Sequence, residues 1–504
     1  MSTATRVRTT VKEKATTPSR PQRRPVVADN GFAAEWIALL CADMNNDSTA
    51  RLVAVLRGWI AGARPGAQLP PTRELVAQHQ VSPVTVQKAL RALAAQGLVE
   101  SRPGVGTFVR DTRPSQPRDD SWQTGVLRRP RSAIPSVAAA LRPTPADAMT
   151  LHSGYPDVEL LPERLVRSAL VRAARGSAAF TRAPVAGLPD LRSWFATELG
   201  GAGSPTANDV IVVPGSQSGL ASVFRAIVPA GQPLLMESPT YWGAISAAAQ
   251  AGVEAVPVPS GPDGPDPEAV ARALDETGAR AFYAQPTFAN PTGAQWSRDV
   301  AAGVLEVVRA RDAFLIEDDW AHDFGIDAQP EPVAARDDTG HVVYVRSLTK
   351  SVSPSVRVAA VVARGPVRDR ILADNGAEAM YVSALLQAAA LDVVTQPGWS
   401  THLRGVGHRL GSRRDLLVES LRRHAPTVLV ESVPRGGLNL WVRLPDGSDV
   451  ATVVGACEAR GLLVTPGDES FVAEPPGPFV RLNYAGPDPA SFAAAARVLG
   501  EVVG

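Results

Sequence analysis

Lys350 is the only lysine beyond Lys88 in a chain of 504 residues whose 51 basic side chains include just four lysines, at 12, 14, 88 and 350. An arginine stays protonated and cannot attack a carbonyl, whereas a desolvated lysine can lose its proton and form an imine. In SLTKSVSPSVR this lysine follows the apolar run VVYVRSL, with Ser347 before it and Arg357 after it, a hydroxyl and a guanidinium suited to a phosphate dianion. Asp318 closes another apolar run, in IEDD, where a carboxylate could pair with a protonated pyridine nitrogen. Asn290 in NPTG offers an amide donor to a ring hydroxyl, and Tyr241 in ESPTYWG offers an aromatic face. The segment PGSQSG, 214–219, passes from a predicted strand into a predicted helix. Backbone N–H groups near Ser216 and Gln217 are therefore expected at a helix N-terminus, which attracts phosphate.

Each piece has an ordinary alternative: a strand-end aspartate as a cap, NPTG as a turn, a lone lysine on a solvated loop. Ser-x-x-Lys is also the nucleophile motif of penicillin-binding proteins, but their Ser-Asp-Asn and Lys-Thr-Gly signals are missing here. The ordered set suits pyridoxal 5′-phosphate bound as an imine to Lys350.

Positioning these residues requires a sheet. From about residue 149 short β-branched runs (VIVVP, LLMES, AFYAQP, AFLIEDD, VVYVRSL, VAAVVA) alternate with helical stretches, the cadence of an α/β domain with a mainly parallel sheet. A long helix is expected over 399–424, followed by TVLVES, NLWVRLP and FVRLNYA as strands of a smaller α+β lobe. Upstream, 1–30 reads as a disordered basic arm, 31–44 as a short amphipathic helix extending a DNA-binding unit over 31–110, and 111–148, with six prolines, as a linker.

The net charge of +1 hides a division: the first 110 residues sum to +8 and the remainder to −7. A basic head on an acidic body suits a polyanion partner. Within 69–110, Thr72 begins a short helix, Ser82 is placed to cap the next and Pro83 fits its first turn. Val86, Ala89, Leu90 and Leu93 then form its buried stripe, so Val84, Thr85, Gln87, Lys88 and Arg91 face outward, side-chain types that read base edges in a major groove. Gly97 stops the helix, and a hairpin follows whose tip, Pro103 to Gly106, is small enough for a minor groove.

With 45% hydrophobic and 20% charged residues the composition is ordinary for a globular protein. No apolar run is long enough to span a bilayer and the N-terminus is polar, so neither anchor, membrane association nor signal peptide is expected, and the protein is expected in the cytoplasm. Cys41 and Cys457 stand far apart without metal-ligand spacing, and both are expected as buried fillers.

Residues 69–110 resemble the GntR-type winged helix-turn-helix throughout. The resemblance implies nucleic-acid contacts from Arg73, Ser82, Thr85 and Gln87, with Gly104 and Gly106 at the wing; Pro83 stands where many members have arginine. Residues 150–504 resemble class I aminotransferases of pyridoxal-phosphate fold type I. That resemblance implies that Arg481, in FVRLNYAG, binds an effector α-carboxylate, and Trp320 replaces the usual tyrosine that tunes the imine. Head and body together, with HLR at 402–404 and RRD at 413–415, resemble the MocR subfamily of transcriptional regulators. That architecture implies a double-stranded DNA operator, an amino-compound effector and a head-to-tail homodimer. A 38-residue linker spans roughly 34 Å, comparable to the ~34 Å between adjacent half-sites. Two rival expectations are an aminotransferase with a fused head, and a sensor of pyridoxal phosphate itself.

Overall fold

The computed structural model describes residues 48–110, 148–201, 205–486 and 488–504, with Trp122, Gln123, Val126, Leu141 and Pro145 between them. The expected arm 1–30, the helix 31–44, Cys41 and nearly all of the linker lie outside these residues. The chain divides into two units, Met1–Arg128 and Arg129–Gly504.

The first unit contains α1 (Ser48–Gly62), α2 (Thr72–His79), α3 (Pro83–Ala95) and the antiparallel pair β1 (Val99–Arg102) and β2 (Gly106–Val109). Leu52 and Leu56 of α1, Leu75 of α2 and Val86, Ala89 and Leu93 of α3 close one small core with Val99 and Val109. Ser82 caps α3 as expected, its Oγ accepting from Thr85 N–H at 3.1 Å. Two positions differ from the helical-wheel expectation. Leu90 is only half-buried, because the core is already filled from the adjoining stripe, and Thr85 is half-buried with its hydroxyl 2.9 Å from Ser82 Oγ.

The second unit begins with β3 (Met149–Thr150), α4 (Glu163–Arg175) and α5 (Pro189–Leu199). It continues through β4 (Val210–Val213), α6 (Ser216–Ile227), β5 (Pro233–Ser238), α7 (Trp242–Ala251), β6 (Glu254–Gly261), β7 (Gly264–Pro265) and α8 (Pro267–Thr277). Next come β8 (Ala281–Ala284), α9 (Arg298–Ala310), β9 (Phe314–Asp319), β10 (Val342–Ser347), β11 (Ala359–Val362), α10 (Pro366–Ala379) and α11 (Ala384–Val394). The smaller lobe follows: α12 (Gly398–His424), β12 (Leu429–Val430), β13 (Asn439–Arg443), α13 (Val450–Glu458), β14 (Leu462–Leu463), β15 (Thr465–Pro466), β16 (Phe479–Asn483) and α14 (Phe492–Val503).

The large sheet has the order β4-β11-β10-β9-β8-β5-β6-β7. Strands β10, β9, β8, β5 and β6 pair in parallel, and β11 runs against both its neighbours, β10 and β4. Alternation explains why these strands are apolar on both faces. Ile211 and Val213 pack toward α6, α7 and α10, whereas Val210 and Val212 pack toward α4, α5 and α11. The hairpin β6–β7 at the sheet edge was not anticipated, since EAVPVPSG carries prolines that weaken a strand signal. The antiparallel sheet β12-β13-β16-β15 and α14 enclose the smaller core, where Cys457 is buried as expected.

Candidate cofactor pocket and DNA-binding face

The carboxyl ends of parallel strands form a crevice because the chain must leave the sheet there toward helices on either face. Here β9 delivers Asp318, β10 delivers Ser347 and then Lys350, and β4 runs through Gly215 into α6 with Ser216 and Gln217 at its first turn. Since β11 is reversed, its entry lies at this same end and brings in Arg357. Ser216, Gln217, Tyr241, Asn290, Asp318, Ser347, Lys350 and Arg357, the eight residues expected from sequence, all line one cavity of about 570 Å³.

Asp318 is fully buried. Its Oδ2 accepts from Tyr283 Oη at 2.9 Å and from Gln285 Nε2 at 2.8 Å, while Oδ1 has no hydrogen-bond partner among the described residues. Burial pushes the carboxyl up to about 6, against the pull of Gln285, Tyr283 and Lys350. A buried carboxylate oxygen without a donor is costly unless a ligand supplies one. A protonated pyridine nitrogen is such a donor. Burial also brings the Lys350 ammonium down to about 8; Asp318 resists the shift, and Arg481 and Arg357 add to it.

The phosphate end is equally shaped for a ligand. Gly215 has φ +91°, and a Cβ there would lie 2.6 Å from Arg357 Nη2. Only glycine allows the guanidinium to lie against the turn that opens α6, where Arg357 Nη2 donates to Pro214 O at 3.3 Å. Ser347 Oγ accepts from Thr349 N–H at 3.2 Å. Gln217 uses its amide to donate to Gly243 O at 2.7 Å, leaving its backbone N–H at the helix start. A side chain at Gly243 would collide with the Tyr241 ring, so the bare backbone there lets that aromatic face the cavity. These residues fit pyridoxal 5′-phosphate at both ends.

Arg481 on β16 stands one hydrogen bond behind the cavity wall. Its Nη1 donates to Asn290 Oδ1 at 3.1 Å, and Nη2 donates to His152 O at 2.9 Å and Thr465 Oγ1 at 3.2 Å. Its Nε has no partner among the described residues, and burial lowers the guanidinium to about 10, leaving it charged at neutral pH. Next to it on β16, Asn483 Nδ2 donates to Tyr155 O at 3.1 Å.

Sequence reading missed Tyr155, Gln285, Trp242 and Thr349, which also line the cavity. Gln285 carried the signal that exposed Asp318, a polar residue ending an apolar strand. Tyr155 carried none, because a lone aromatic after a turn has no periodicity to place it.

On the first unit Arg73, Gln87, Lys88 and Arg91 are exposed, as is Val84 at 61%. Ser82 and Thr85 are joined to each other at the start of α3, so their hydroxyls serve the helix cap. At the wing, Gly104 has φ +74° with open space around it. Gly106 has φ +143° and makes room for Gln68, whose Nε2 donates to Val105 O at 2.9 Å and ties down the tip.

The two halves define a DNA-binding regulator whose sensing domain has the architecture of a pyridoxal-phosphate aminotransferase. The aminotransferase class I and II family matches residues 146–499, and the bacterial regulatory protein gntR family matches residues 49–109. The chain belongs to the MocR-type GntR regulators, in which these two modules are fused. It is 30% identical over 84% of its length to 86% of the probable rhizopine catabolism regulatory protein MocR of Rhizobium meliloti. It is 27% identical over 83% of its length to 88% of the uncharacterized HTH-type transcriptional regulator YdfD of Bacillus subtilis. Among solved structures, the body is similar to LysN, the α-aminoadipate aminotransferase of Thermus thermophilus complexed with N-(5′-phosphopyridoxyl)-L-leucine. The TM-score is 0.66 and the identity 26%, covering 71% of this chain and 92% of that one. Among the described residues no helix is long and apolar enough to cross a membrane.

Proposed function

We propose that the protein controls transcription in response to a carboxylate-bearing amino compound that enters the Lys350 cavity. The observation that carries this reading is the half-buried Lys350 amine in one cavity with Asp318 Oδ1, which has no hydrogen-bond partner among the described residues, one hydrogen bond from the Arg481 guanidinium. Bound pyridoxal 5′-phosphate supplies a carbonyl carbon that exchanges amines and a ring that withdraws electrons. Lys350 anchors it covalently, Asp318 holds the pyridine proton, and Asn290 Nδ2 donates to the ring oxygen. Tyr241 covers a ring face, while Arg357, Ser347 and the backbone at Ser216 and Gln217 hold the phosphate. Arg481 holds the effector's carboxylate. An effector that binds one arrangement of a head-to-tail homodimer better than another shifts its grip on an operator. There Gln87, Lys88 and Arg91 reach base edges, and Arg73 reaches a phosphate. Ser82 and Thr85 set the first turn of α3 against the backbone, and the wing at Gly104 and Gly106 enters the minor groove.

The test is an absorbance titration of the purified, cofactor-loaded protein with a panel of amino acids and decarboxylated amines, followed by operator binding with each hit. We expect an amino acid to change the spectrum and operator affinity together. Multiple-turnover formation of a keto acid at ordinary enzymatic rates, with operator affinity indifferent to the amino donor, would instead establish the aminotransferase reading.

A further inference from the structure

We propose that the indole face of Trp320 is a seat for the Lys350 ammonium released when an effector amine takes the lysine's place on the cofactor, so that the site captures an amine and holds it. This rests on the reading of Lys350 as the cofactor's anchor.

Lys350 Nζ lies 4.1 Å from the centroid of the Trp320 ring and 5.9 Å from that of Tyr155, both within reach of a cation–π attraction. Trp320 is 5% exposed and belongs to the core of the smaller lobe with Phe288, Phe324 and Leu438. Its ring lies 6.4 Å from that of Phe324. A Cβ at Gly437 would lie 3.9 Å from its Cζ2, so the backbone passes close to its edge. The indole is thus held by the core, whatever occupies the cavity.

The charges that face Lys350 are unequal. Arg481 and Arg357 oppose an ammonium there and Asp318 favours it, while Tyr241 brings a neutral phenol and Tyr155 an aromatic ring. Once the pyridine proton occupies Asp318 Oδ1, the carboxylate's support for Lys350 is largely neutralised. Two aromatic faces then remain as the polar complement of the released cation. In the exchange, the effector nitrogen forms its bond to the cofactor carbon as the bond to Lys350 Nζ breaks. A proton carried in on the effector's ammonium ends on Nζ. No oxidant or reductant is required. An ammonium cannot accept a proton from the effector's α-carbon. Trp320 is therefore a positioning residue, which acts through Lys350 and selects holding over turnover.

The four lysines make the test direct. Full-length protein freed of cofactor and labelled with [ε-13C]lysine gives few signals, and Lys350→Ala identifies the one of interest. Its pH titration is compared in wild type, Trp320→Leu and Trp320→Phe. Loss of the face in Trp320→Leu should lower the Lys350 pKa by about one unit, with Trp320→Phe in between. With cofactor and an amino acid bound, exchange of the effector's α-hydrogen with solvent deuterium should run about tenfold faster in Trp320→Leu at pH 7. If Trp320→Leu does not fold, Trp320→Phe against wild type carries the test, with a pKa about half a unit lower expected. An unchanged or raised pKa in the folded variants overturns the proposal, as does equal α-hydrogen exchange. Failure of the anchor reading would show separately, as covalent cofactor persisting in Lys350→Ala.

Discussion

Arg481 Nη1 donates to Asn290 Oδ1 at 3.1 Å, and because a guanidinium has donors only, this contact fixes which end of the amide is which. Asn290 Oδ1 is engaged, so Nδ2 is the end that remains to donate to a ligand. Pocket polarity on that wall is therefore set from the smaller lobe.

We predict that Arg481→Gln lowers the affinity for an amino acid effector by about 100-fold, the scale of a lost charge-assisted pair. Affinity for the corresponding amine without a carboxylate should change much less. Absorbance titrations at matched cofactor content check this, and equal losses for both ligands would remove Arg481 from carboxylate recognition.

The depressed Lys350 pKa has a kinetic signature. With the ammonium at about 8 instead of its ordinary 10.5, roughly a tenth of the amine is neutral at pH 7. Covalent capture of pyridoxal 5′-phosphate by cofactor-free protein should accelerate about tenfold per pH unit up to about pH 8 and then level off. For stability the sign is opposite to that of an ion-paired lysine. Between pH 8 and 10.5 the unfolded chain binds a proton that the native state lacks, so this group makes stability rise with pH across that window. Below pH 8 its burial cost is fully present. A capture rate still climbing at pH 10 would contradict the assignment.

Asp318 is raised to about 6 by burial, so its ionisation opposes folding when the cavity has no cationic ligand. The native state holds the extra proton between about 4 and 6, and stability from this group falls as pH rises through that window. Asp318→Asn should stabilise cofactor-free protein at pH 7 by roughly 1–3 kcal/mol while weakening the cofactor at least tenfold. Thermal melts with and without pyridoxal 5′-phosphate should therefore move in opposite directions.

Gly215→Ala puts a Cβ where the Arg357 guanidinium lies, at a φ of +91° that side chains avoid. Expected are a destabilisation of the body of about 1–3 kcal/mol and a loss of affinity for inorganic phosphate as well as for the whole cofactor. Intact phosphate affinity would show that the turn is structural only.

For the DNA-binding unit, Gln87→Ala should relax sequence preference at a cost of about 1–3 kcal/mol, whereas Arg73→Ala should weaken all sequences alike and reduce the salt slope by about 1 where Arg73 meets a phosphate, and relax preference as Gln87→Ala does where it meets a base. Binding isotherms at several salt concentrations on operator and scrambled duplexes separate the two.

Residues that end strands were legible in the sequence because a polar group closing an apolar run must sit where the sheet opens to solvent or ligand. Asp318 is legible that way, Lys350 stands out as the lone lysine of the body, and Ser82 and Gly97 mark the limits of α3 by capping chemistry alone. The Arg481–Asn290 contact was not, because it joins two lobes through residues 191 apart, a relation with no local pattern. Gly215 was passed over for a similar reason. Its necessity comes from Arg357, which reaches it only because β11 runs backwards. Thr85 faces outward by periodicity but is drawn into the cap by the hydroxyl three residues before it.

The contacts of β16 with the start of the body give the pocket a direction in time. Every residue proposed to hold the cofactor lies before residue 360, yet Arg481 and Asn483 reach back to His152 and Tyr155 from the last 24 residues. On the ribosome, a chain that emerges from its N-terminus presents the proposed aldehyde trap long before the proposed carboxylate clamp exists. A message broken just short of β16 would yield a body with the proposed cofactor ligands in sequence but without the arginine proposed to recognise the signal.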